Sequence, residues 1–132
     1  MIFVGQSLEI TGDSMYPTLK NKERIVVEKV TYKSRTPKRG EIVVFRSLQN
    51  ENIFLIKRVV AVPGDNFESQ NENLGSLGVL EEFRQTPIPV NHFAVMGDNR
   101  EESFDSRMFG LVPLDNLVGK AFVVYWPPAR RI

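Results

Sequence analysis

The 132-residue sequence contains no cysteine and a single histidine, His92. Without cysteine there is no disulfide framework, thiolate zinc site, iron–sulfur cluster or thiol nucleophile. One histidine excludes a multi-histidine metal centre. Long apolar runs are also missing. The longest, Ala121-Phe122-Val123-Val124-Tyr125-Trp126, falls far short of the roughly 20 residues that span a bilayer. No charged start followed by an apolar stretch and cleavage site marks a signal peptide. Helical periodicity over three turns, internal repeats and low-complexity tracts are absent too.

What remains is ordinary for a packed fold: 42% hydrophobic and 25% charged residues. The length suits one domain spanning residues 1–132. The net charge of +1 hides an asymmetry. Lys29, Lys33, Arg35, Lys38 and Arg39 form a basic block without acids, and residues 65–82 carry five acids without a base. Charge alone lets the basic block meet anionic lipid or nucleic acid, or simply solvent. Runs rich in Val, Ile and Phe at 24–30, 41–45, 53–62, 92–96 and 117–126 are separated by Pro, Gly and Asn turn signals. They predict a mainly β fold, a small barrel or packed antiparallel sheets with few short helical turns, such as 15–20 and 114–117. The run Ile42-Val43-Val44-Phe45 is apolar on both faces, as in a strand covered on both sides. Residues 66–86, polar and Gly-containing, read as a flexible loop or hairpin.

Three clusters carry chemistry. The first is Gly12-Asp13-Ser14-Met15-Tyr16-Pro17-Thr18-Leu19. A serine at such a turn presents its hydroxyl and its own N–H to one carbonyl, a nucleophile with half an oxyanion hole; the same letters also spell a plain turn. The second is Lys57-Arg58 within the apolar run 53–62. Burial there disfavours an ammonium and makes Lys57 a candidate base for Ser14, unless it snorkels to water. His92, with Asp98 or Asp105 as orienting acid, is the alternative base. The third cluster, residues 97–107, brings together Asp98, Asn99, Arg100, Ser103, Asp105, Ser106 and Arg107. Asp105 and Arg107 can pair to fix a loop, and a serine from this cluster can hold a lysine amine toward Ser14.

In order and spacing the three clusters resemble the signature boxes of type I signal peptidases, membrane-bound Ser/Lys proteases that remove signal peptides from exported proteins. The resemblance runs from about Leu8 to Trp126. It implies Ser14 as nucleophile, Lys57 as general base, Ser103 orienting the lysine amine, and Asp105 and Arg107 as support. The Ser14 N–H would donate to the oxyanion; Gly12 stands where some members carry a second, hydroxyl donor. It further implies a mainly β domain of the signal-peptidase type, working without metal or cofactor. Its substrates would be preprotein signal peptides with small residues at the first and third positions before the cleavage site. The domain would lie at a membrane lipid surface, on the extracytoplasmic or thylakoid-lumenal face, without binding nucleic acid. The stretches 125–130 and 28–32 look most like cyanobacterial and thylakoid-type members. Beside that resemblance, the absent apolar run reads as an anchor lying outside these residues, with Met1-Ile2-Phe3-Val4 at the junction.

Two other readings are compatible with parts of the pattern. A self-cleaving Ser/Lys repressor-type protease shares the serine-then-lysine order, but the sequence has no Ala-Gly pair and no helix-turn-helix. A non-catalytic β module binding lipid or peptide through residues 29–39 leaves Ser14, Lys57 and Ser103 without a common purpose.

Overall fold

A computed structural model describes residues 5–70, 75–127 and 129–132. Eight strands form one antiparallel sheet: β1 (Gly5–Glu9), β2 (Arg24–Glu28), β3 (Ile42–Arg46), β4 (Phe54–Ala61), β5 (His92–Met96), β6 (Val112–Pro113), β7 (Leu117–Trp126) and β8 (Arg130–Arg131). Their spatial order is β1-β2-β7-β3-β4-β5-β6, with β8 on β7. Register shifts interrupt the β2–β7, β3–β7 and β4–β5 ladders. Each shift sharpens the local twist, and the sheet curls into a half-barrel. The mainly β expectation holds, and the five runs read from sequence correspond to β2, β3, β4, β5 and β7. The junction residues 1–4 lie outside the described part.

Hydrophobic burial explains the curl. Ile25 and Val27 of β2, Ile42 and Val44 of β3, and Ala121 and Val124 of β7 face one cluster, which Met15 and Leu19 complete from the turn after β1. Val43, Phe45, Val59, Phe93, Val95 and Val112 form a second cluster on the other side of β3. All four residues 42–45 are therefore buried, the doubly covered strand that their unbroken apolar run implied. A third cluster gathers Phe67, Leu77 and Leu80 onto Val60, Ala61 and Met96. Residues Phe67–Ser69 and Gly78–Phe83 are 3-10 turns, and Phe67, Leu77, Leu80 and Phe83 tie these described parts of the polar segment to the sheet. Two single-turn α-helices, α1 (Thr31–Ser34) and α2 (Ser106–Phe109), and two further 3-10 turns, Arg100–Glu102 and Leu114–Asn116, complete the described elements.

Candidate active site

Ser14 stands in the turn between β1 and β2, held by its neighbours rather than by sheet pairing. Met15 and Leu19 are 1% and 0% exposed, so the turn is pinned into the core on both sides of Pro17. Leu19 N–H donates to the Met15 carbonyl at 2.9 Å and Tyr16 N–H to Asp13 at 3.1 Å. Gly12 enters the turn with φ +89°, a conformation that side chains disfavour, and nothing lies within 4 Å of where its Cβ would be. Its N–H donates to Asn21 Oδ1 at 2.8 Å. Among the described residues no acceptor takes the Ser14 N–H.

Lys57 lies in the middle of β4, paired with Val43 of β3. It is 5% exposed, and its Nζ is 2.8 Å from Ser14 Oγ. Burial pushes the Lys57 pKa below the ordinary lysine value; the nearby Asp105 carboxylate opposes that without cancelling it. Arg58, the next residue, pairs through Nε and Nη2 with both Asp98 oxygens at 2.8 Å and donates from Nη1 to the Gly40 carbonyl at 2.7 Å. Neither adjacent cation depends on water alone, so a central strand tolerates both.

Residues 97–107 wrap this pair. Gly97 N–H is shared between Ser103 Oγ at 3.1 Å and Asp105 Oδ2 at 3.0 Å, and Ser103 Oγ–H donates to Asp105 Oδ2 at 2.7 Å. Asp105 is fully buried. Arg107 closes it from outside, with Nε on Oδ1 and Nη2 on Oδ2, both at 2.9 Å. Burial acts to raise the Asp105 pKa, but Arg107, the Gly97 N–H and the Ser103 hydroxyl hold it below the usual carboxylate value. Ser103 thus spends its hydroxyl proton on Asp105, and the amine of Lys57 bonds to Ser14.

The same cluster clamps the turn that carries Ser14. Asn99 N–H donates to the Ser14 carbonyl at 2.9 Å, Asn99 Nδ2 to the Asp13 carbonyl at 3.1 Å, and Thr18 Oγ1 to Asp98 Oδ2 at 2.6 Å. A Cβ on Gly97 would fall 2.2 Å from Ser103 Oγ and 2.5 Å from the Ser14 carbonyl oxygen. The roles of Gly97, Asp98, Asn99, Thr18 and Arg58 were not read from the sequence. The dense polar composition of 97–107 was the available signal, but it does not say which partner each side chain takes. His92 bonds through Nδ1 to its neighbour Val90 at 2.9 Å and lines a separate cleft with Pro113 and Asp115; the structure brings Lys57, not His92, to Ser14.

A cleft of about 160 Å³ opens beside the pair, lined by Leu8, Ile10 and Thr11 on one side and Phe54, Ile56 and Lys57 on the other. Strand β1 ends the sheet, and β5 pairs with β4 only from Arg58 onward. Among the described residues, 54–57 therefore pair with β3 on one side only. Two strand edges face the cleft with backbone groups available to an extended peptide. Among the described residues no group of three or more His, Asp or Glu is placed to hold a metal ion.

Comparison with known proteins gives the family. The sequence matches the family described as "Signal peptidase, peptidase S26" over residues 1–79 and 70–126. It is 37% identical to a Synechocystis protein named "Probable signal peptidase I-2", across 97% of this chain and 66% of that protein. It is 36% identical to "Signal peptidase I" of Leptolyngbya laminosa, across 97% of this chain and 72% of the relative. The chain thus spans about two thirds of the length of these relatives. A crystal structure of a signal peptidase I from Enterococcus faecalis superposes with TM-score 0.50 at 26% identity, over 65% of this chain and 97% of that one.

Proposed function

The chain belongs to the signal peptidase family, peptidase S26, and from that premise we propose that it is a serine endopeptidase that removes signal peptides with a Ser14–Lys57 dyad. The observation that carries the dyad is the 2.8 Å approach of Lys57 Nζ to Ser14 Oγ by a lysine only 5% exposed. A buried amine gives up its proton more readily than one in water, and a neutral amine at hydrogen-bond distance is a general base.

In the first half-reaction Ser14 Oγ attacks the scissile carbonyl carbon while Lys57 takes the hydroxyl proton. The carbonyl oxygen becomes an oxyanion and receives the Ser14 N–H. Gly12 contributes space beside that oxygen, since its own N–H is given to Asn21. Collapse breaks the C–N bond, and the Lys57 ammonium returns its proton to the departing amine. Water, deprotonated by Lys57, then attacks the acyl-serine; the acyl C–Oγ bond breaks, the Lys57 ammonium returns the proton to Ser14 Oγ, and the signal peptide leaves as a carboxylic acid that ionises to its carboxylate. The negative charge of Asp105 favours the ammonium that forms in each half. Ser103, against Gly97, and Arg107, around Asp105, keep the floor on which the amine is oriented.

The small cleft supports small residues at the first and third positions before the cut. Alternate residues of an extended peptide share one face, and about 160 Å³ is well below the several hundred that drug-sized ligands fill. A lipid surface is the second partner. Phe122 and Trp126 are 57% and 58% exposed on β7, Phe122 lines a cleft with Lys120 and Arg131, and such apolar surface suits a membrane interface. No helix among the described residues is long and apolar enough to cross a bilayer. The workplace proposed is the extracytoplasmic or thylakoid-lumenal face.

The test is cleavage of a preprotein by the purified chain in detergent, with N-terminal sequencing of the product. Wild type should cut one bond after a small residue, and Ser14→Ala should not cut. Equal cleavage by both would overturn the proposal.

A further inference from the structure

One buried carboxylate joins the nucleophile turn to the last strand of the sheet. Glu23 is 5% exposed. Its Oε1 accepts the Lys20 N–H at 2.6 Å and Arg130 Nη2 at 2.9 Å, while Oε2 accepts Arg130 Nη1. The same Nη2 donates to the Thr18 carbonyl at 2.7 Å. Thr18 is therefore gripped twice: Asp98 takes its hydroxyl proton at 2.6 Å, and Arg130 holds its carbonyl. Asp98 in turn is bound to Arg58, the residue after Lys57.

The segment needs such a hold. Residues 20–23 lie outside any strand, and Lys22 sits at φ +72°, a left-handed conformation unusual for a side-chain-bearing residue. It is kept there by backbone bonds from Lys22 N–H to Ile10 and from Ile10 N–H to Glu23, both 2.7 Å. Arg130 reaches this reversal from β8, which pairs with Val123 and Val124 of β7 through two register positions only. Among the described residues, every side-chain bond of Arg130 goes to Thr18 or Glu23.

We propose that Arg130 is a positioning residue for the reaction: by bridging Glu23 and the Thr18 carbonyl it fixes the far end of the turn whose near end presents Ser14 to Lys57. The proposal rests on the assignment of Ser14 as nucleophile. Removing the guanidinium leaves a buried carboxylate without its cation and frees the Thr18 carbonyl. The carboxylate then turns toward water and takes the Lys20 N–H with it. Attack and proton transfer both depend on sub-ångström placement of Oγ, so kcat is the quantity that suffers. The scissile peptide does not touch Arg130 in this scheme, so KM should change little.

Steady-state kinetics on a signal-peptide substrate, with thermal unfolding of each sample, test this. Arg130→Ala should lower kcat about tenfold or more, with KM within about twofold of wild type and the protein folded at the assay temperature. Millimolar methylguanidinium should recover part of that kcat in Arg130→Ala and do nothing for wild type or Ser14→Ala. Arg130→Lys should fall between, because one ammonium lacks the fork that serves two acceptors at once. A kcat within twofold of wild type in Arg130→Ala would overturn the proposal. So would a loss matched by the unfolded fraction and untouched by methylguanidinium. If Arg130→Ala does not fold, Glu23→Gln, which keeps the shape and removes the charge, should still lower kcat at unchanged KM; an unaltered kcat there overturns it. Equal cleavage by wild type and Ser14→Ala would remove the underlying nucleophile assignment, an outcome separate from the Arg130 series.

Discussion

Replacing Asp105 by Asn tests two consequences of one buried charge at once. Asp105 Oδ2 accepts from Gly97 N–H, Ser103 Oγ and Arg107 Nη2, and Oδ1 accepts from Arg107 Nε and N–H. An amide cannot satisfy this set. With its NH2 at the Oδ1 position it faces two Arg107 donors; at the Oδ2 position it faces the Gly97 N–H and an Arg107 donor. Either way a fully buried site keeps unpaired donors and Arg107 loses its counter-charge. Each orphaned donor costs about 1–3 kcal/mol, and breaking a buried pair costs about 3–5 kcal/mol in all. We expect about 3 kcal/mol, near the lower limit because Arg107 keeps the Arg100 carbonyl at 2.7 Å and some contact with water. In a chain of this size that lowers Tm by roughly 10 °C. The second consequence concerns the base. Asp105 is the charge that raises the Lys57 pKa against the effect of burial, so its removal lets that pKa fall further. Activity that needs neutral Lys57 rises with pH through the Lys57 pKa, and the acid limb of kcat/KM should therefore move to lower pH. The assay is a pH–rate profile measured well below the variant's Tm, alongside thermal unfolding. An acid limb that stays in place or moves to higher pH would refute the electrostatic link between Asp105 and Lys57.

Two further outcomes follow from the same structure. Gly97→Ala places a methyl group 2.2 Å from Ser103 Oγ and 2.5 Å from the Ser14 carbonyl oxygen, so it should cost about 1–3 kcal/mol and lower kcat strongly; wild-type kinetics would show that the two loops part without harm. Glu41 accepts from Arg35 and pairs with Lys120; the Arg35 hydrogen bonds hold its pKa down at about 2 against the effect of burial. Its contribution is present above the ordinary carboxylate pKa and is lost as pH falls toward 2. Allowing for solvent at Arg35 and Lys120, it amounts to about 2 kcal/mol. Acid unfolding of Glu41→Gln should show correspondingly less loss of stability between about pH 5 and 2, and an unchanged acid limb would contradict the assignment.

The legible part of this protein was the part written in single-residue chemistry. Val- and Ile-rich runs between turn signals marked β2, β3, β4, β5 and β7, because buried strands announce themselves by composition. Strand β1, Gly5-Gln6-Ser7-Leu8-Glu9, is an edge strand with one strong apolar residue and carries no such signal. The two-residue strands β6 and β8 are made by their partners, His92-Phe93 and Val123-Val124. A lysine in an apolar run and a serine in a glycine turn were visible as candidates. Their pairing was legible only through the resemblance of the three clusters to the signal-peptidase boxes, because in physical terms it depends on how far the sheet curls and on Met15 and Leu19 entering the core. The clamp of Asp98 on Thr18 and of Arg130 on Glu23 spans 80 and 107 residues of chain. Such pairings are set by tertiary folding, and no local pattern encodes them.

On the proposed dyad, the buried amine of Lys57 serves Ser14 as its base. That role is tested most directly by the kcat/KM of Lys57→Met on a preprotein, since methionine keeps the apolar stem and removes only the amine. A loss of at least about a hundredfold is expected, the lower range of general-base effects, with the fold retained. A variant that keeps more than about a tenth of wild-type activity would contradict it.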